Sequence, residues 1–120
     1  MAPVIRDPAR KAVAEVAADI AALAERARGR QLEAADYRGA TFSVTNLGPY
    51  GIDGFTPIIN PPQIAVLGVG TVRTVPGFAS DGSVVPRHLM TLSLTFDHAF
   101  VDGAPAAAFL ADLRNRLERG

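Results

Sequence analysis

The 120-residue chain carries 12 basic and 12 acidic residues, so its formal net charge is zero, and 48% of it is hydrophobic. That length allows one domain at most, with enough apolar material for a core, and the balanced charge gives no electrostatic ground for a nucleic-acid partner. Cysteine is absent, which excludes a disulfide scaffold, a thiolate metal site and a cysteine nucleophile.

In chain order, Met1 to Arg10 lacks the basic-then-apolar order of a signal peptide. Asp7-Pro8 marks a helix start, with the carboxylate available as a cap and proline suited to the first helical position. Val13, Val16, Ile20, Leu23 and Ala27 follow at three- and four-residue spacings, which predicts a helix over 8–28 ended by Gly29. "EAADY" (33–37) reads as a short helical turn. "TFSVTN" (41–46) alternates and is β-branched, which predicts a strand with Phe42 and Val44 on one face and Ser43 and Thr45 on the other. "LGPYGIDGF", with three glycines and a proline, is a loop. Its glycines do not make a phosphate cradle, because no helix follows them directly.

"IAVLGVG" (64–70) is a nearly continuous apolar run, suited to a strand buried on both faces. Asp81-Gly82 signals a hairpin turn. A second long strand is expected over 87–98, and a final helix over 102–118 with Ala106, Phe109, Leu110, Leu113 and Leu117 as its stripe. The three arginines at positions 114, 116 and 119 complement that helix's C-terminal dipole rather than forming a basic binding patch. No apolar run approaches the roughly 18 residues of a membrane-spanning helix. The expected fold is α/β (α+β): a mixed β-sheet covered by helices on one side. With no cysteine, leader or span in view, the expected location is the cytoplasm and no membrane role is expected.

The chemistry concentrates near the end of the second long strand. Of the two histidines, His98 continues the alternation of Met90, Leu92, Leu94 and Phe96, so it inherits an apolar face. Burial there would keep the ring neutral and able to take a proton. Asp102, four residues on, can cap the last helix and sits near the histidine in the turn. By itself this pattern also fits a hydrogen-bonded core histidine beside a plain helix cap. His98, Asp97 and Asp102 are too few and too mixed as ligands for a metal site, and none is expected. His88 is expected to be solvated near the hairpin.

"FDHAFVDG" resembles the His-x-x-x-Asp-Gly signature of the catalytic domain of dihydrolipoamide acyltransferases, the core components of 2-oxoacid dehydrogenase complexes. Related chloramphenicol acetyltransferases share this chemistry. "PVIRD", "GATFSVTNLGPYGIDGFTPIINPPQIAVLGVG" and "PRHLMTLSLTFDH" resemble the same family in the same order, nearly the whole chain. The resemblance implies a chloramphenicol acetyltransferase-like two-layer sandwich of half length. It implies that His98 is the general base, Thr45 the hydroxyl that stabilises the oxyanion, and Asp102 the acid that braces the site through an arginine elsewhere. Asn46 competes for the oxyanion role, but alternation puts it on the face opposite Thr45. The resemblance further implies acyl transfer between dihydrolipoamide and coenzyme A, with coenzyme A as substrate and the lipoyl group supplied by another domain or chain.

The same resemblance implies a trimer-based homo-oligomer whose site lies between subunits, with lipoyl domains and other 2-oxoacid dehydrogenase subunits as partners. The chain matches only the C-terminal half of the family's catalytic domain, and residues 1–120 hold no lipoyl or subunit-binding domain. Ala99 stands where the family usually has arginine, which removes a positive charge and several donors beside the histidine. Three expectations follow. The chain completes its fold with a complementary half domain, or it builds a site by self-association, or it is a non-catalytic assembly module that keeps the fold.

Overall fold

The computed structural model describes residues 2–120, and Met1 lies outside them. Two compact units divide the chain, Met1–Ala40 and Thr41–Gly120.

In the first unit, the helix expected over 8–28 is broken in two. Pro8–Arg10 forms a single 3-10 turn, and helix α1 runs Val13–Arg28. The cause lies in Asp7 and Ala12. Asp7 adopts a left-handed conformation (φ 47°) and its side chain makes no capping bond, an option open to Asp at little cost. Extended backbone at Lys11 and Ala12 then separates the turn from the helix. The cap comes from inside the helix instead. The Glu15 carboxylate accepts the Ala12 N–H at 2.6 Å, satisfying one orphan donor of the first turn. Gly29 ends the helix as expected.

Polar ties hold this unit together. Arg26 donates to both carboxylate oxygens of Asp36 at 3.1 and 2.7 Å, the fork geometry that suits arginine to a carboxylate. Val4 N–H reaches the Asp36 carbonyl at 2.8 Å. The Glu33 N–H and the Arg26 guanidinium hold the Asp36 carboxyl below its ordinary value of 3.8. The turn Ala34–Tyr37 stands where "EAADY" placed it.

The second unit contains the sheet. Strand β1 (Ser43–Asn46) runs parallel to β2 (Ala65–Val69), and β5 (Leu92–Phe96) runs antiparallel to β2, in the order β1-β2-β5. The mixed sheet with helices is therefore borne out. The central strand holds buried Val66 and Leu67, as its unbroken apolar run requires. Val44, Leu67 and Leu94 form one row across the sheet, and Thr45, Gly68 and Ser93 the next, so the two rows point to opposite faces.

Helix α2 (Gly103–Arg119) packs on β5 and buries Ala106. Its Phe109 meets Phe42 with ring centroids 6.0 Å apart, which places α2 on the Val44 face. The Thr45 face is covered differently, by the loop between β1 and β2. A side chain at Gly68 would meet the Phe55 ring at 2.8 Å. Thr95 Oγ1 donates to the Pro57 carbonyl at 2.7 Å, and Ser43 Oγ to Gln63 Oε1 at 2.6 Å.

One expected element is really two. The strand over 87–98 divides into β4 (Val84–Leu89) and β5, which lie in different sheets. β4 pairs only with β3 (Arg73–Phe78) in a separate hairpin, turned at Asp81-Gly82 with Gly82 at φ 86°. The Asp81 carboxylate accepts the Ser83 hydroxyl and N–H, and both bonds lower its proton affinity. Apolar alternation from Met90 onward does not disclose the change of sheet, because a period of two records which residues share a face, not which partner each half pairs with.

Candidate functional site

Thr45 sits on β1 with its side chain exposed. The backbone after it is held tightly. Asn46 Oδ1 accepts the Gly48 N–H at 2.9 Å, and the Leu47 N–H reaches the Val69 carbonyl at 3.0 Å. The chain then doubles back over β2. The Thr71 N–H meets the Ile52 carbonyl at 2.8 Å, and a Cβ at Gly70 would stand 2.0 Å from the Asp53 carbonyl oxygen. No side chain fits there, so Gly70 is a close-approach glycine. Thr45 is thus carried by a strand end whose exit is locked on two sides. Asn46 is engaged in this turn and lies on the face opposite Thr45.

His98 stands one residue past the last tie between β5 and β2, where the Asp97 N–H reaches the Ile64 carbonyl at 2.8 Å. The expectation of a buried, desolvated ring is corrected: His98 is exposed. The strand partners end at Phe96, so His98 lies beyond the paired ladder. The ring does keep its place on the Phe96 side, with centroids 4.9 Å apart in an edge-on arrangement.

Asp102 is the N-cap residue of α2, but its side chain makes no capping bond, contrary to expectation, and it is exposed. Its carbonyl alone starts the helix, accepting the Ala106 N–H at 3.2 Å. His98 and Asp102 thus flank one exposed turn. His88 is exposed on β4, with Nδ1 3.1 Å from Thr74 Oγ1. Among the described residues no group of three or more His, Asp or Glu side chains gathers as metal ligands would.

The strand register fixes how far apart the candidates are. Thr45 aligns with Gly68 and then Ser93. His98 lies five residues beyond Ser93, so roughly 17 Å along the strands and 10 Å across them separate it from Thr45. They also face opposite sides of the sheet. One chain does not bring Thr45 and His98 together.

The model of the 2-oxoacid dehydrogenases acyltransferase (catalytic domain) family matches residues 1–120. The chain belongs to this family. It is 42% identical, over 97% of its length and 29% of the relative's, to the dihydrolipoyllysine-residue acetyltransferase component of the acetoin cleaving system of Bacillus subtilis. The structure superposes on a probable dihydrolipoamide acetyltransferase from Listeria monocytogenes with a TM-score of 0.92 at 34% identity, covering 98% of this chain and 50% of that one. It superposes on dihydrolipoamide acetyltransferase of Azotobacter vinelandii with a TM-score of 0.84 at 41% identity, covering 92% and 45%. In that protein a serine, a histidine and an asparagine were investigated for roles in the catalytic mechanism, the asparagine four positions after the histidine. The chain thus spans half or less of the family members it matches.

Sequence reasoning weighed Asp97 only as a metal ligand and missed that it braces the histidine turn, and it passed over Phe55, which fills the space above Gly68. A signal existed for Asp97: an Asp two residues before a backbone donor at a strand end is a turn former. No comparable local signal pointed from Phe55 to a glycine 13 positions away.

Proposed function

We propose that the chain is the C-terminal half of an acyltransferase catalytic domain, transferring an acyl group between dihydrolipoamide and coenzyme A. Family membership over all 120 residues, with the His-x-x-x-Asp-Gly turn intact, is the observation that carries it. His98 is the general base. A thiol with an ordinary pKa near 8.5 is mostly protonated at neutrality, and an imidazole suits its deprotonation. The thiolate attacks the thioester carbonyl, and the Thr45 hydroxyl donates to the oxyanion that develops. Collapse of that intermediate expels the other thiolate, which takes the proton back from His98. Asp102, at the four-residue spacing of the Azotobacter histidine and asparagine, is the acid that braces the site through an arginine of another chain.

Because Thr45 and His98 lie roughly 20 Å apart in one chain, the working site needs His98 of one copy beside Thr45 of another. A homo-oligomer, built on trimers in the family pattern, supplies that pairing. The lipoyl group arrives on another domain or chain, other 2-oxoacid dehydrogenase subunits are the wider partners, and the cytoplasm is the setting.

The test is acyl transfer from acetyl-, propionyl- and isobutyryl-coenzyme A to dihydrolipoamide. His98→Ala should lower the rate about 1,000-fold and Thr45→Ala about 100-fold. Mixing the two variants should restore activity, since some interfaces then pair an intact His98 with an intact Thr45. No rescue on mixing would sink the shared site.

A second reading has its own support. The chain covers only 45–50% of the solved catalytic domains, and its buried hydrophobic residues are Val66, Leu67 and Ala106. A complementary half domain on another polypeptide would then complete both core and site. A chain inactive alone but active with such a partner selects this reading. Inactivity in both settings leaves a non-catalytic assembly module.

A further inference from the structure

We infer that Asp97 is a positioning residue for His98, acting through the turn that carries the ring. It rests on the acyltransferase reading for its effect on rate, though not for its effect on structure.

Four hydrogen bonds converge on Asp97. Its N–H is the last tie of β5 to β2, at 2.8 Å from the Ile64 carbonyl. Its side-chain Oδ1 accepts the Ala99 N–H at 2.9 Å, bridging across His98. Its carbonyl accepts the N–H groups of Phe100 and Val101, each at 3.0 Å. His98 is therefore enclosed between a half-buried residue anchored to the sheet and a backbone amide that residue holds by its side chain. The ring's aromatic contact is an edge-on one with Phe96 at 4.9 Å. An exposed ring depends strongly on the backbone it hangs from for its direction. Here that backbone is shaped by an Asx turn, in which a carboxylate oxygen mimics a backbone carbonyl.

The part of Asp97 that matters is thus one acceptor atom, not its charge. Asparagine has the same oxygen in the same place. Both Asp97→Asn and Asp97→Ala keep the backbone bonds to Ile64, Phe100 and Val101, so only the bond to Ala99 distinguishes them. The bonded partner makes the point sharper: Ala99 offers this turn its amide and no polar side chain.

The experiment compares the full chain with both variants in two readouts. The first is the nuclear Overhauser contact between the Phe96 and His98 rings, which needs no activity. The second is steady-state acyl transfer to dihydrolipoamide. Asp97→Ala should lose the ring contact and lower kcat by about tenfold to a hundredfold, with KM changed less than about twofold. Asp97→Asn should keep both. A ring contact that survives in Asp97→Ala overturns the inference, as does an Asp97→Asn variant as impaired as Asp97→Ala. If the unaltered chain transfers no acyl group while the ring contact still follows the acceptor atom, the site built by self-association has failed and the positioning of His98 stands.

Discussion

The two ends of the sheet present their candidate residues in opposite ways. At the Thr45 end the backbone is locked: Asn46 holds Gly48, and Gly70 lies so close to Asp53 that a single methyl group would not fit. At the His98 end the chain has left the ladder, and the ring is exposed beside a phenyl ring and an Asx turn. The two roles ask for different things. A donor for an oxyanion must wait in a fixed position, because preorganisation is what makes it effective. A base must accept a proton, hold it and return it, and in this chain the surface that would desolvate it has to come from elsewhere. Under the proposed reaction, the Thr45 end is held within one chain and the His98 end calls on a neighbour.

That contrast breaks most visibly at Gly70. Gly70→Ala drives a Cβ into the Asp53 carbonyl, backbone against backbone, where neither side can rotate away. It should cost about 3 kcal/mol, the upper part of the range for overpacking, read as a fall in the urea midpoint. Acyl transfer should fall with it, through the Thr45 strand end. A variant as stable as the parent would mean that the junction is loose and that Thr45 is no better held than His98.

Much of this arrangement was legible in the chain. Alternation in "TFSVTN" put Thr45 opposite Val44, and the register confirms it. The unbroken run at 64–70 marked the central strand, and Asp81-Gly82 marked the hairpin. What was not legible depended on partners distant in sequence. The 87–98 stretch looked like one strand because of the alternation from Met90 onward, yet the doubled apolar pair Leu89-Met90 marks where its halves part into different sheets. His98 looked buried because its strand is apolar, but burial requires something on the far side, and alternation says nothing about that. The Asp7 cap failed for a local reason: the residue takes a left-handed backbone, open to Asp at little cost, and its side chain makes no capping bond.

A smaller effect sharpens the same comparison. Asn46→Ala removes the acceptor for the Gly48 N–H and should cost about 1 kcal/mol, the net value of one such bond. Asn46→Asp keeps the oxygen and should recover most of that loss. If Asn46→Asp recovered nothing, the strand exit would be held by the glycine packing alone.

The smallest expected effect is at His98, where the contrast predicts near silence. An exposed ring contributes little to folding, so His98→Ala should shift stability by no more than about 0.5 kcal/mol. Thermal unfolding at low protein concentration reads this directly. The informative step is then to raise the concentration. If a neighbouring copy closes over His98, the ring becomes part of an interface, and the variant should separate from the parent as the oligomer forms, because association adds its own free energy to apparent stability. A difference that stays flat with concentration would leave His98 solvent-facing in the assembled protein, where a base gains none of the desolvation the acyl-transfer chemistry calls for.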